Sequence, residues 1–291
     1  MNHIPILLYF LFISYSLTGQ SLVEKIALDA CQSLDSIESY KTLQDSIQGK
    51  VASAMANTLM GRTSEEKKRL ATVEGIRGTI KEVYEILPSY CYNIRRLMLK
   101  EKKKNFYKIS DNSSANEHFQ KGNILMESGS YKNSIKEFKR AIKLDQNFVY
   151  AIDHLAIAYR RLEDFKTAIK YYKQSLDLFP EGEVALLNIA VSYLALEKDD
   201  DSLKYYELLK FYYRDDPEGY FGTAKILLIK EDYENALDNL FVAHRIYTET
   251  NSKYLEDSEK LMNMMFSKLK EINKEELIEK KAKEHNISIK K

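Results

Sequence analysis

The chain has 291 residues, of which 44 are Lys or Arg and 43 are Asp or Glu, giving a net charge of +1, and 44% are hydrophobic. So even a balance offers no bulk attraction to a polyanion, which argues against a nucleic-acid binder that works by phosphate neutralisation. Ten Gly and four Pro are too few for the tight turns and phosphate-cradling loops of all-β or doubly wound folds, so the composition points to an all-α protein.

At the N-terminus, Ile4 to Leu17 is apolar and uncharged and is followed by the small, polar run Thr18, Gly19, Gln20, Ser21. The run is shorter than the roughly 20 apolar residues of a membrane span and an amphipathic pattern follows it, so residues 1–19 read as a signal peptide. The expected location is therefore outside the cytoplasm, in the periplasm or associated with the envelope. Met1 to Pro5 carries no Lys or Arg, which leaves an uncleaved membrane anchor as the alternative.

Residues 20–104 read as a small bundle of three or four helices. Val23, Ile26, Ala30, Leu34 and Ile37 recur at spacings of three and four, as do Val51, Met55 and Leu59, and then Val73, Ile76, Ile80, Val83 and Leu87. Pro88 is expected to kink or end the third stretch, with Tyr90, Cys91, Ile94, Leu97 and Met98 continuing as a fourth. The Lys-rich run and the polar stretch after it mark residues 105–114 as a linker, with Ser114 and Glu117 spaced as a capping box for the next helix. Cys31 and Cys91 lie on apolar faces of the bundle. In an oxidising compartment they are candidates for a disulfide, with two buried free thiols as the alternative.

From residue 115 the chain aligns with itself at an offset of 34. Gly122, Ala156, Ala190 and Ala224 form a column of small residues, and Leu125, Tyr159, Tyr193 and Leu227 a large one. Ser134, Ala168, Ser202 and Ala236 are small again, Phe138, Tyr172, Tyr206 and Leu240 large, and a short polar turn recurs around Gly129, Glu163, Glu197 and Glu231. Small residues allow two helices to approach, and large ones fill the space between successive pairs, so each 34-residue unit is a helix-turn-helix. In this period and these columns, residues 115–248 resemble the tetratricopeptide repeat (TPR) family. The resemblance implies an α-α superhelix of four units; the register persists briefly at Tyr254, Ser258 and Leu261, so residues 251–291 read as a capping helix that covers the last apolar edge, followed by a frayed basic tail. The third unit departs from the pattern, with Asp199 in place of an aromatic residue and Leu209 in place of a small one. Asp199-Asp200-Asp201 lacks the spaced ligands and glycine of a calcium loop, and no metal or cofactor is expected.

The chain has no phosphate-binding loop, no His-Glu-x-x-His motif and no nucleophile elbow, and His118 and His154 alone make neither a triad nor a ligand set, so no enzymatic activity is expected. The resemblance implies that the first helix of each unit lines a concave groove that takes another protein or a peptide segment. The inward positions are Asn116, Phe119, Asn123 and Met126, then Tyr150, Asp153, Ile157 and Arg160, then Val184, Leu187, Val191 and Leu194, then Glu218, Phe221, Lys225 and Leu228. Family members that hold a chaperone's terminal carboxylate use a clamp of Lys, Asn and Arg. Here only Asn123 fits it, since Phe119, Val184 and Asn188 occupy the other places. Two functions remain: an exported scaffold with an open groove, apolar in its middle, or a closed or self-associating protein whose own helices fill that groove.

Overall fold

The computed structural model describes residues 21–58 and 62–287. The expected signal peptide and Leu59 lie outside the described residues. Contacts divide the chain into two compact units that meet between Leu97 and Met98, and the described residues form helices and no strands. The division falls earlier than the expected linker at 105–114.

The first unit holds α1 (Leu22–Leu34), α2 (Tyr40–Asn57), α3 (Ser64–Arg69), α4 (Val73–Tyr90) and the start of α5 (Tyr92–Phe106). Helix starts are fixed by side chains that accept otherwise unpaired backbone N–H groups. Ser21 with Glu24 and Thr63 with Glu66 form capping boxes, while Ser39 and Thr72 cap α2 and α4. Helix α1 packs on both α2 and α4 and buries Ile26, Ala30 and Leu34 with Leu43, Val51, Val83 and Leu87. The α1 C-terminus is closed by Asn93, whose Nδ2 reaches the carbonyls of Leu34, Asp35 and Ile37 at 3.2, 3.0 and 2.7 Å. Pro88 does not end α4, which continues to Tyr90 before the chain extends at Cys91. Cys31 and Cys91 stand 5.3 Å apart at Cα, a distance that fits a disulfide.

The described residues of the second unit form five helical hairpins: α6 (Ser113–Glu127) with α7 (Tyr131–Leu144), α8 (Val149–Arg161) with α9 (Phe165–Leu178), α10 (Glu183–Ala195) with α11 (Asp199–Tyr212), α12 (Pro217–Ile229) with α13 (Tyr233–Glu249), and α14 (Leu255–Glu271) with α15 (Glu275–Glu284). The small columns are buried to the last residue: Ala156, Ala190 and Ala224 are inaccessible, as are Ser134, Ala168, Ser202 and Ala236. Phe138, Tyr172, Tyr206 and Leu240 fill the space beside them. In the irregular third unit, Ser202 Oγ donates to the Ala190 carbonyl at 2.7 Å, and Asp199–Asp201 form the first turn of α11, where the helix dipole favours negative charge.

The turn inside each hairpin repeats to the atom. Gly129, Glu163, Glu197 and Glu231 have φ of 73, 60, 56 and 60°, and the next N–H in each unit returns to the carbonyl of Leu125, Tyr159, Tyr193 or Leu227 at 2.8 to 3.0 Å. This is the Schellman closure, in which the accepting carbonyl belongs to the third residue from the helix end, the position of the large column. Asn273, with φ 54°, and the bond from Lys274 N to the Leu269 carbonyl at 2.8 Å show the same turn in the fifth hairpin.

Three expectations are corrected here. The cap is a pair of helices, because Ile278 and Ala282, four residues apart on α15, are buried against the α13–α14 surface. The basic tail is docked through residue 287: the Lys281 side chain is 8% exposed and pairs with Asp238, Glu234 and Glu284. The first repeat helix is capped by Asn112, which accepts from Ala115 N at 3.1 Å, so Ser114 is already inside the helix and no capping box forms with Glu117.

A non-glycine residue in the left-handed region is strained by its Cβ, and the strain recurs at Glu163, Glu197 and Glu231. Glu197→Gly should raise stability by up to about 1 kcal/mol in urea denaturation. A loss of stability would show that the glutamate side chain compensates for its backbone.

Candidate functional site

In the second unit each first helix touches the first helix of the next hairpin, in the order α6, α8, α10, α12, α14, whereas among the first four hairpins the second helices α7, α9, α11 and α13 make no comparable contact with one another. The first helices therefore line the inner, concave side. The inward positions divide into three groups.

At the N-terminal end, Phe119 is 6% exposed and its ring packs on Phe138, Phe148 and His154, with centroids 5.0 to 6.0 Å away. It is core, which corrects its assignment as a binding residue: the first turn of the second hairpin covers it. Asn123 and Met126 are half-buried, with Met126 packed against the same cluster. His118 Nδ1 pairs with Glu137 at 2.7 Å, and His154 Nδ1 lies 2.8 Å from the Tyr150 carbonyl, so both histidines have structural partners. Burial holds His154 below the ordinary imidazole range.

Around Tyr150 the groove is occupied by the chain's own segment at the end of α5. The Tyr107 ring sits 5.2 Å from that of Tyr150, and its hydroxyl donates to Asp153 Oδ2 at 3.0 Å. Lys103 pairs with Glu183, and with Lys104, Tyr107 and Val184 it lines a cleft of about 430 Å³. Sequence reasoning assigned these residues to the bundle and linker. The signal that identifies them is the pair Phe106-Tyr107 inside a lysine-rich run, since a solvated linker has no use for two adjacent aromatic rings.

The third group is the C-terminal half of the face. Ile157, Leu187, Val191, Leu194, Phe221 and Leu228 are all half-buried, resting on the core beneath while part of each side chain remains accessible. Asn188 turns its amide back to the Val184 carbonyl at 2.7 Å. Glu218 accepts from the Tyr247 hydroxyl at 2.8 Å. Leu228 also forms one wall of a cleft of about 620 Å³ with Ile229, Tyr233, Asn263, Met264 and Lys268, in which Ile229 and Met264 are exposed. The face is thus self-occupied near Tyr150 and accessible from Leu187 to Leu228, where its apolar side chains are interrupted by the exposed Lys225, whose Nζ stands 5.7 Å from the centre of the Phe221 ring.

Burial pushes the Asp153 carboxyl up to about 6, and the hydroxyls of Ser175 and Tyr107 offset only part of that effect. The folded protein therefore holds a proton that the unfolded chain releases at lower pH, so stability should increase as pH falls from about 6 towards 4. Asp216, raised to about 6 by burial, contributes with the same sign. Asp153→Asn isolates the first: the stability difference between wild type and variant should change by about 1–3 kcal/mol between pH 7 and pH 4, in favour of the wild type at pH 4. A difference independent of pH in urea titrations would contradict this.

Among solved structures the chain is similar to MamA at 15% identity, over 59% of this chain and 95% of that one, with a TM-score of 0.46. A tetratricopeptide repeat protein from Parabacteroides merdae ATCC 43184 is similar at 17% identity, over 54% and 68% of the two chains, with a TM-score of 0.43. YrrB, described as a TPR protein with an unusual peptide-binding site, is similar at 15% identity over 58% and 90%, with a TM-score of 0.41. No curated protein matches the chain. Residues 122–162 match a TPR repeat family and residues 154–217 a tetratricopeptide repeat family. Together with the buried columns and the recurring turn, these matches identify residues 122–217 as tetratricopeptide repeats, the regular centre of the five-hairpin array.

Proposed function

We propose that the protein is a non-enzymatic interaction scaffold of the cell envelope that receives an apolar or amphipathic helical segment of another protein along the concave face from Leu187 to Leu228. The observation that carries this reading is the line of half-buried apolar side chains Leu187, Val191, Leu194, Phe221 and Leu228 on α10 and α12, beyond the cleft that Lys103 and Tyr107 line with Val184. A row of aliphatic and aromatic side chains at one turn's spacing suits the helix-in-groove mode, in which anchors three and four residues apart enter an apolar channel. The closed reading is favoured only around Tyr150, where the chain's own Tyr107 takes the place a ligand would have.

The envelope assignment rests on the apolar run at residues 4–17 and is supported by the approach of Cys31 to Cys91, since a disulfide is maintained in an oxidising compartment.

Leu187→Glu combined with Leu194→Glu should abolish partner capture from an envelope extract while helicity and melting temperature stay nearly unchanged. Unfolding of the double variant would mean that these side chains belong to the core, and the open-groove reading would fall. For the cysteines, intact mass of the exported protein should rise by two hydrogens on reduction. Reduction should lower the stability of the first unit by about 4 kcal/mol in the loop-entropy account, and free thiols in the untreated protein would contradict the bridge.

A further inference from the structure

The end of α5 follows the array in a regular way. Helices α7, α9 and α11 are followed by the C-cap residues Asp145, Phe179 and Tyr213, three equivalent positions 34 residues apart on one edge of the array. The segment from Lys102 to Ser110 meets them in reverse order. Ser110 Oγ donates to the Asp145 carboxylate. Phe106 stacks on Phe179 at 5.0 Å, and Tyr107 meets the same ring edge-on at 5.7 Å. Lys103 Nζ stands 4.4 Å from the centre of the Tyr213 ring and pairs with Glu183, while Lys102 pairs with Glu181.

These contacts are made by side chains. Leu99 and Ser110, before and after the contacting side chains, are buried, whereas Phe106 and Tyr107 between them are half-buried. Both lysines keep a third or more of their side-chain surface in water, where ion pairs form and break readily. The receiving edge, by contrast, is built from repeat positions fixed by the array itself, with Tyr213 held through its hydroxyl by the Glu181 carbonyl and Asp153 buried. A surface of three carboxylates and two aromatic rings, met by half-exposed ion pairs and ring contacts from one short segment, has the chemistry of a receptor with a resident ligand.

We propose that the edge formed by Asp153, Phe179, Glu181, Glu183 and Tyr213 is a recognition surface for an external helical segment presenting two adjacent lysines and, three residues on, an aromatic pair, with Lys102–Tyr107 as its resident intramolecular ligand. The lysines neutralise Glu181 and Glu183, the first ring of the pair stacks on Phe179, and a tyrosine in the second place donates to Asp153. An incoming segment displaces the resident one by offering the same contacts. This surface is separate from the apolar face between Leu187 and Leu228 and does not depend on what binds there.

The test uses the full chain and a fluorescent peptide of residues 98–112. Lys103→Glu in the protein repels Glu183 and loosens the resident segment, so the peptide should bind this variant at least tenfold more tightly than wild type. In a separate protein that keeps Lys102 and Lys103, Glu181→Lys with Glu183→Lys repels the resident segment and should abolish binding of that peptide. A peptide carrying Lys102→Glu and Lys103→Glu should then restore it. Leu187→Glu should leave peptide affinity unchanged, which separates this surface from the groove. Equal affinity for wild type and Lys103→Glu, or no recovery with the charge-reversed peptide, would overturn the proposal. So would loss of helicity on Lys103→Glu, because the segment would then be an obligatory part of the array. A wild-type dimer that the peptide dissociates would make a second copy the occupant and overturn the assignment to a separate partner.

Discussion

The array depends on how closely its helices can approach, within a hairpin and between successive ones. A Cβ placed on Gly122 would lie 2.4 Å from the Phe138 ring of the same hairpin, and one on Gly222 of α12 would lie 2.2 Å from Tyr206 on α11 of the preceding hairpin, distances no real pair of carbon atoms tolerates. Where alanine replaces glycine, as at Ala156, Ala190 and Ala224, the residue is wholly buried and leaves no room for another methyl group. Large rings thus enter a space that only small residues leave open. Because each hairpin buries its apolar faces against the neighbours on either side, stability is shared between adjacent units. The fifth hairpin, α14–α15, protects the last of them, with its outer surface carrying Lys270, Glu271, Glu276 and Lys280 towards water.

From that spacing follow the two faces the protein offers. Tight pairing repeated with a fixed turn brings first helices together on the inside, so their inward side chains form a line. Where α8 begins, the line is met by Tyr107, and the buried Asp153 carboxylate has a hydroxyl for company. Where α10 and α12 continue it, the side chains are aliphatic and aromatic and stay half accessible. The same repetition aligns the ends of α7, α9 and α11 along one edge, and there the chemistry is ionic and aromatic. One architecture therefore presents two surfaces of different character.

The repeat was legible because its physical cause recurs at a fixed interval: the small column, the large column and the short polar turn each appear four times in the sequence, and chance does not keep such a register. Phe119 was misplaced because periodicity tells which way a helix position faces within its own hairpin, and in the first hairpin that direction is covered by Phe148 and His154 of the next. Two lysine-rich segments were read as solvated, at 100–104 and 280–291. In each, a few side chains reach acidic groups more than 40 residues away in sequence: Lys102 and Lys103 at Glu181 and Glu183, Lys281 at Asp238. Nothing local in a charge run distinguishes such a partner from water. The second capping helix was missed for the same reason, since its apolar stripe rests on only Ile278 and Ala282.

The central claim is that interlocking small and large columns hold the array together through nearest neighbours. Hydrogen exchange on Ala190→Phe tests it most directly, since the added ring overpacks the contact between α10 and α11 and costs about 1–3 kcal/mol. The account predicts that amide protection falls most in α10 and α11, less in the adjoining hairpins α8–α9 and α12–α13, and least in α14–α15. A uniform loss of protection across residues 113–284 would contradict it, because the array would then open as a single unit.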